Sequence, residues 1–286
     1  MSTAHPFRAR NGHAFIGGLL LCTLFFIPIT GKTSAPVKHP LSCLAEAYPD
    51  KLLLSSDNQL ISAQTRQHYP YQPEKKYKDF QDELDHADLY SQLRQPYRKG
   101  SLDTPPQHNE DPGRLRHMPL FMDMYGKSSA EVAQNLIAVD WAPCQCKIQF
   151  SRVNGAAQAL EAVGLEIEQV GLSKYVNQSL GTYQWRNIAG TRRLSMHALG
   201  VAIDFKLPNT LGRYWRWDTV SQGQSRRFPS EVLLDEGLNQ IVKIFESKGF
   251  VWGGKWWHYD SIHFEYRPEL TLPGCGQGLG PSIPTK

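Results

Sequence analysis

Two short blocks in the C-terminal third of the chain, each with histidine and carboxylate side chains between apolar residues, constrain the fold most strongly. They are Ser195–Asp204 and Trp256–Tyr266. The first holds His197 and Asp204 with small residues between them, and the second adds His263. Imidazole nitrogen and carboxylate oxygen are ligand types that zinc accepts, and three protein ligands leave a fourth position for water. The blocks therefore predict a zinc site at His197, Asp204 and His263, which requires the fold to bring them together.

Asp260, which precedes His263 in the second block, is the candidate for proton transfer. A carboxylate beside a water molecule takes its proton and later passes it to a leaving amine. Each of these residues alone has a simpler interpretation, as a hydrogen-bonded core histidine, a strand-end cap or a partly buried ring. Their joint occurrence favours a chemical site.

Helical and strand patterns alternate from about residue 118 onward. Apolar residues recur at three- and four-residue steps over Val153–Ile167, which predicts a helix. Ser230 is predicted to cap a second helix, whose apolar stripe includes Leu234 and which stops at Gly249. Short strands are predicted at 148–150, 201–204, 250–252 and 262–266. There is no βαβ repeat and no glycine-rich phosphate loop, so we expect an α+β fold.

Composition excludes several classes of protein. Hydrophobic residues make up 41% and charged residues 20% of the chain, enough to bury a core and unlike a collagen-like, wholly disordered or polytopic protein. The formal charge is +4, and the basic residues are scattered. We therefore expect no nucleic-acid partner.

The N-terminus has the pattern of an export signal. Arg8 and Arg10 precede the uncharged, apolar stretch Ala14–Thr30, which predicts a secretory signal and a location in the periplasm or cell envelope. This stretch contains Pro28 and is short for a membrane-spanning helix. Small residues before Pro36 offer a cleavage site that the proline disfavours, so cleavage and membrane attachment through an uncleaved anchor both stay open.

Export would place the cysteines in an oxidising compartment. Cys22 lies in the apolar stretch, which leaves an even number, Cys43, Cys144, Cys146 and Cys275, for disulfides. A bridge between two cysteines separated by one residue is strained, so we expect Cys144 and Cys146 each to pair elsewhere, in an order left open. Half of a zinc site is the less favoured alternative for this pair.

Four segments are predicted along the chain. Residues 1–35 form the signal or anchor, and 36–117 form a polar, Pro-rich tether. Within it, 66–116 has too few aliphatic residues to offset chain entropy and is expected to be extended or partly disordered, as a spacer or a polyanion-binding arm. Residues 118–275 form the globular domain, and 276–286 form a flexible tail.

Residues 181–204 and 249–266 resemble the signature blocks of bacterial cell-wall zinc peptidases, the D-alanyl-D-alanine carboxypeptidase group called peptidase family M15, including its endolysin-like branch. The family pattern is Ser-x-His-x-x-Gly-x-Ala-x-Asp, a Trp-Gly-Gly turn, and Asp-x-x-His-Phe-Glu. Every fixed position is matched in this chain. The resemblance implies a small antiparallel sheet with flanking helices around a zinc site, the fold of D,D-peptidases and hedgehog domains.

The resemblance also assigns roles residue by residue. The positions that match zinc ligands are His197, Asp204 and His263. Asp260 matches the catalytic acid/base, Ser195 a substrate-contacting serine, and Arg186 an arginine that faces the substrate and steadies the oxyanion. A guanidinium with its forked donors suits a carboxylate or an oxyanion. Arg192 and Arg193 are alternatives ranked below Arg186.

Three neighbours carry weaker interpretations. His258 would face away from His263 in an extended strand, so it is a poor ligand candidate. Glu265 shares the face of His263 and could support it or act as an alternative base. The Trp256–Trp257 pair is predicted to pack in the core and at its rim, and a role as a wall of the substrate site is the less favoured alternative.

The expected activity is hydrolysis of peptidoglycan stem peptides at D-Ala bonds, as a carboxypeptidase or an endopeptidase. An L-Ala–D-Glu endopeptidase of the same family, an effector acting on another amide, and a non-catalytic zinc-containing wall-binding module are the alternatives. Residues 209–229 are polar and show no long insertion that would roof the cleft. The oligomeric state stays open.

Overall fold

The computed structural model describes residues 36–57, 59–208, 210–222 and 227–279. The helices are α1 Pro40–Ala47, α2 Phe80–His86, α3 Leu89–Arg94, α4 Met118–Tyr125, α5 Ser129–Ala133, α6 Ala156–Gln169, α7 Trp215–Gln222, α8 Ser230–Leu234 and α9 Glu236–Ser247. The strands are β1 Leu52–Leu54, β2 Leu60–Ser62, β3 His68–Tyr69, β4 Leu136–Trp141, β5 Cys146–Ser151, β6 Ser179–Gly181, β7 Ala202–Phe205, β8 Phe250–Trp252 and β9 His263–Tyr266.

These strands form three antiparallel sheets. Their orders are β1-β2-β3, β4-β5 and β6-β7-β9-β8. All neighbouring strands run antiparallel, and the helices lie between the strands in sequence without a parallel βαβ unit. The expected α+β class and small antiparallel sheets are therefore confirmed.

The four-stranded sheet brings the two predicted blocks into direct contact. β7 and β9 are neighbours in the middle of this sheet, and Asp204 lies opposite His263 in their register. Ile203 and Phe264 are also opposite each other and are completely buried. Because both central strands are buried by such apolar side chains, burial determines the register that places Asp204 beside His263.

The predicted helices are observed, with one correction. The apolar face of α6 is buried as its periodicity predicts. The helix expected to run from Ser230 is divided at Asp235, which has an extended backbone and accepts a hydrogen bond from the Leu238 amide at 2.7 Å. Asp235 therefore caps α9, and Leu234, placed in the buried stripe by the sequence, is 75% exposed.

The prediction of an extended or partly disordered segment at 66–116 is wrong. This segment contains α2 and α3, each started by an aspartate cap, Asp79 and Asp88. Its Leu89 and Tyr97 are buried in the main core. The described residues of this segment belong to the same compact unit as the described residues that follow them. Two capped helices with a few well-placed apolar side chains pack here despite the polar composition.

The predicted disulfide pairing is also wrong. The bridges are Cys43–Cys275 and Cys144–Cys146. Gln145 has a left-handed backbone with φ of 53°, which turns the chain between the two neighbouring cysteines. Helix α1 lies against the chain near residue 270, which brings Cys43 to Cys275 and leaves the other two for each other.

Predictions for the chain ends have different outcomes. Among the described residues, no helix is long and apolar enough to cross a membrane. The signal or anchor expected at 1–35 lies outside the described residues, as do 280–286. Residues 276–279, expected to begin a flexible tail, lie against the end of α3 and the residues after it. The Tyr97 amide donates to the Gly276 carbonyl at 2.7 Å, and the Leu279 amide donates to the Arg94 carbonyl at 3.2 Å.

Candidate active site and metal centre

The three residues predicted as zinc ligands meet at one point. His197 lies in a helical turn after Ser195, whose hydroxyl accepts from the His197 amide at 3.3 Å, while Asp204 and His263 lie on β7 and β9. One donor atom from each residue lies within 4.8 Å of the others. Asp204 Oδ1 is 3.2 Å from His197 Nε2 and 2.9 Å from His263 Nδ1. The two ring nitrogens are 3.3 Å apart.

Each histidine is oriented by an acceptor on its other nitrogen. His197 Nδ1 donates to the Thr182 carbonyl at 2.9 Å, and His263 Nε2 to Glu265 at 3.0 Å. These acceptors keep a proton on the outer nitrogens and leave the inner nitrogens available as electron-pair donors. The set of two imidazoles and one carboxylate therefore fits a divalent cation such as zinc.

The charges around the centre also favour a bound cation. Burial by itself raises the pKa of Asp204, but hydrogen bonds from His197 and His263 outweigh it and hold this pKa well below its usual range. Burial lowers the pKa of His263, but hydrogen bonds to Asp204 and Glu265 outweigh it and raise the pKa to about 10. The site thus attracts positive charge, which either a proton or a metal ion supplies.

Glu265 supports His263 and is not placed to act as a base. Its carboxylate is completely buried and contacts two arginines as well as His263. Arg116 grips both carboxylate oxygens, and Arg267 Nη1 lies 3.0 Å from Oε1. Burial raises the pKa of Glu265, but these two cations and His263 hold it well below the usual range. Such a carboxylate stays charged and fixes the imidazole ring.

Asp260 has the opposite environment. Its Oδ1 is buried, and no hydrogen bond to it is found among the described residues. Burial raises the pKa of Asp260 to about 7, with further increases from Asp204 and Glu265 opposing decreases from His263 and Arg114. A carboxyl group with a pKa near neutrality suits proton uptake and release.

The Trp-Gly-Gly turn explains how the chain holds Asp260 in place. The Asp260 amide donates to the Gly253 carbonyl at 2.9 Å. A Cβ on Gly253 would lie 2.6 Å from the Asp260 carbonyl oxygen, so any larger residue would push this segment away. The glycine therefore permits the close approach that positions Asp260.

The three candidate ligands and Asp260 line a cavity of ≈ 220 Å³. Ser195 is on its wall and Arg186 at its exposed side, where Arg186 Nε donates to Gln184 at 2.9 Å. Arg192 and Arg193, the alternatives to Arg186, do not line this cavity. The structure thus brings together all six residues predicted for the site.

Two residues of the 209–229 segment form part of the cavity wall, contrary to the expectation that this segment leaves the cleft open. They are Tyr214 and Trp217, which contact each other edge to face. An isolated bridge joins Tyr214 to Asp260. The bridge lies directly before α7, and the polar sequence of the segment did not indicate that it would reach the cavity.

A second contribution missing from the sequence analysis comes from residues 110–116. Asp111 accepts from the His258 amide at 2.9 Å and contacts His258 Nδ1, so His258 is held away from the ligand group. Trp256 is buried and donates to the Pro112 carbonyl at 2.7 Å. Arg114 lines the cavity. These residues match no motif, and the sequence analysis did not select them; the Arg-x-Arg spacing of Arg114 and Arg116 within a Pro-rich segment is the one signal that points to them.

Comparison with known families supports the resemblance. Residues 189–266 match the family described as D-alanyl-D-alanine carboxypeptidase. The resemblance to peptidase family M15 is thereby confirmed over this segment, and it supports a peptidase. Arg186 and the 110–116 segment lie outside the match. No curated protein and no solved structure matches the chain at a significant level.

Proposed function

Since residues 189–266 carry the signature of a D-alanyl-D-alanine carboxypeptidase, we propose that the chain is a zinc-dependent peptidase acting on peptidoglycan stem peptides. The observation that carries this proposal is the convergence of His197, Asp204 and His263 beside Asp260, whose buried Oδ1 has no hydrogen bond within the described part of the chain. A structural zinc site is closed by four protein ligands, whereas the described residues supply three here and the group opens into a cavity. This favours catalysis over a wall-binding role.

Zinc at this site would supply a Lewis acid that polarises the scissile carbonyl and makes water more acidic. Asp260 takes the proton of the attacking water and passes it to the leaving amine. Its raised pKa makes both transfers accessible near neutral pH. Arg186, with its forked donors at the open side of the cavity, stabilises the developing oxyanion, and Ser195 contacts the substrate.

The cavity favours a D-Ala bond near a chain end. Arg114 and Arg186 both line it, so a free terminal carboxylate would find guanidinium groups there. Tyr214 and Trp217 narrow one side, which suits a peptide end better than a cross-linked polymer. We infer carboxypeptidase action ahead of endopeptidase action.

The test is digestion of purified peptidoglycan by the zinc-loaded protein, followed by mass analysis, with the Asp260→Asn variant as control. Stems shortened by one D-Ala would support carboxypeptidase action, and cross-linked dimers falling to monomers would support endopeptidase action. Cleavage between L-Ala and D-Glu would overturn the D-Ala assignment. No change in any wall type would contradict peptidoglycan hydrolysis.

The metal assignment has its own test. Purified protein should hold about one equivalent of zinc, and His197→Ala should lose it. His258→Ala is the matched control, since His258 is bound to Asp111 and stands outside the ligand group. Equal zinc content in wild type and His197→Ala would remove His197 from the site.

We also infer that the protein works outside the cytoplasm. The N-terminal apolar stretch and the two disulfides support export. Fractionation of cells that express a C-terminally tagged chain should place the tag in the envelope or periplasm, with the membrane fraction indicating an uncleaved anchor. Detection in the cytosol alone would contradict export.

A further inference from the structure

A second cavity adjoins the catalytic one. It has a volume of ≈ 270 Å³ and shares Arg114 and Arg116 with the catalytic cavity. A third, wider cavity of ≈ 940 Å³ shares Arg193 and Leu194 with the second and continues towards α2. The shared residues place these three cavities side by side, from the candidate metal centre along residues 188–194, and we call this row of cavities the groove.

Basic residues outnumber acidic residues in the wall of the second cavity. Lys75, Arg114, Arg116 and Arg193 line it, and Asp85 is the one acidic residue among the described lining residues. Arg116 is neutralised by Glu265 and Arg114 by Asp111, both from behind the wall. Of the remaining charged residues, Lys75 and Arg193 are opposed by Asp85 alone, which leaves an excess of one cation in the wall.

The Arg193 side chain is largely buried, being 12% exposed, and one of its nitrogens has no hydrogen bond among the described residues. Its Nε is buried, and no hydrogen bond to it is found among the described residues. Asp85 Oδ1 lies 3.2 Å from that atom, but the Asp85 side chain is 40% exposed and the contact is an ion pair without an aligned hydrogen bond. Burial, and then repulsion by Arg114 and Arg116, lower the pKa of Arg193 to about 10. An anion at this position would relieve both penalties.

The backbone holds Arg193 in a fixed position. Asn187 and Leu194 form an antiparallel bridge, and the Ile188 amide donates to the Arg193 carbonyl at 2.8 Å. The Arg193 amide in turn donates to the Thr191 hydroxyl at 3.2 Å. The loop backbone fixes where the Arg193 side chain begins, and the burial of that side chain restricts its rotamers before a ligand arrives, which lowers the entropy cost of binding.

We propose that Arg193 binds a carboxylate of the stem peptide outside the scissile bond, and that the groove holds the non-reacting part of that peptide. This inference rests on the proposed function and extends it to substrate recognition. A forked guanidinium pairs with a carboxylate through two parallel hydrogen bonds, and the neutral amide of the same shape cannot form that charged pair. The second cavity therefore distinguishes a stem with a free carboxylate from its amidated form.

Two peptides and three variants test this assignment. The probes are L-Ala–γ-D-Glu–L-Lys–D-Ala–D-Ala and the same peptide with D-isoglutamine, which replaces one carboxylate by a carboxamide. Wild type should have a higher kcat/KM for the carboxylate peptide. Arg193→Gln should lower kcat/KM for that peptide about 10-fold or more through KM, and leave the amidated peptide nearly unchanged. Arg193→Lys should restore part of the difference.

Arg152→Gln is the charge control, because Arg152 is exposed and lines none of these three cavities. It should keep the wild-type preference. Equal losses on both peptides in Arg193→Gln, or no loss, would overturn the carboxylate assignment. If wild type cleaves neither peptide, the proposed function fails, and binding still decides the inference. The carboxylate peptide should then bind Asp260→Asn protein at least several-fold more tightly than Arg193→Gln/Asp260→Asn protein, and equal binding would refute it.

Discussion

Arg116 connects the N-terminal part of the chain to the metal centre, and its replacement by Met tests how far that connection matters. The arginine lies outside the family match, and its side chain is 9% exposed. It grips both oxygens of Glu265, which in turn accepts the outer proton of His263. Arg116→Met keeps the apolar volume but removes the donors.

The structure gives the size of two expected effects. Breaking a buried ion pair by removing one partner costs about 3–5 kcal/mol of folding free energy. Glu265 retains Arg267 at 3.0 Å, so we expect the lower end, about 3 kcal/mol. Loss of a group that orients a ligand histidine costs roughly 10- to 100-fold in metal affinity. Zinc should therefore bind Arg116→Met about 10-fold more weakly.

Zinc affinity is measured by competition with a chelator of known strength, and stability by thermal unfolding of the metal-free protein. Arg94→Met is the matched control, because Arg94 also grips both oxygens of a glutamate, Glu83, in the same N-terminal region. The Arg94 side chain is 35% exposed, so its loss should cost about 1 kcal/mol or less. It should leave zinc affinity unchanged.

Saturating zinc separates a positioning role from a structural one. If Arg116 acts through Glu265 and His263, excess zinc should restore most of the kcat of Arg116→Met, and Arg116→Lys should bind zinc with intermediate affinity. Equal zinc affinities in Arg116→Met and Arg94→Met would refute the reasoning, because the ion pair would then support folding alone.

Three further predictions follow from the same contacts. Asp260→Asn should keep its zinc and lose turnover by about 10²–10⁴-fold. If Asp260→Asn stays active while Glu265→Gln is inactive, Glu265 and not Asp260 is the base. Thiol titration of the unfolded, unreduced full chain should detect Cys22 alone, and additional thiols would contradict the two disulfides. Burial raises the pKa of Asp111, but the hydrogen bond from His258 and nearby charge outweigh it, so this pKa lies below its usual 3.8. The stabilisation by the ionised Asp111 carboxylate is therefore present above about pH 4 and lost as the pH falls further. The difference in unfolding free energy between wild type and Asp111→Asn should shrink from pH 7 to pH 3. A difference that stays constant over this range would contradict the prediction.

Local patterns were sufficient where neighbouring residues decide the structure. The three- and four-residue period of α6 and the short apolar runs of β5, β7 and β8 predicted those elements, because helix and strand periods appear directly in the order of side chains. The break at Asp235 was missed, since the apolar stripe continues through Leu234 while the cap acts against it.

Composition misled where a few contacts outweigh the average of a segment. Residues 66–116 are polar overall, yet Leu89, Leu93 and Tyr97 are buried in the core. The Cys43–Cys275 disulfide also links the two ends of the described chain close to this segment. The disulfide pairing shows the same limit. Which cysteines meet depends on where α1 packs, and sequence spacing contains no such information.

The sequence alone determined the side chains of the candidate centre: two histidines and an aspartate proposed as ligands, and a second aspartate proposed as the acid, in two blocks that the family pattern ranks. Tertiary structure alone decided what surrounds that chemistry. It placed Arg114 and Arg116 beside the centre and set Glu265 as support for His263. It also buried the Asp260 Oδ1 atom with no hydrogen bond from any described residue. The physical reason is that ligand identity is a property of single side chains. Burial, charge balance and the shape of a groove arise only when distant segments pack together.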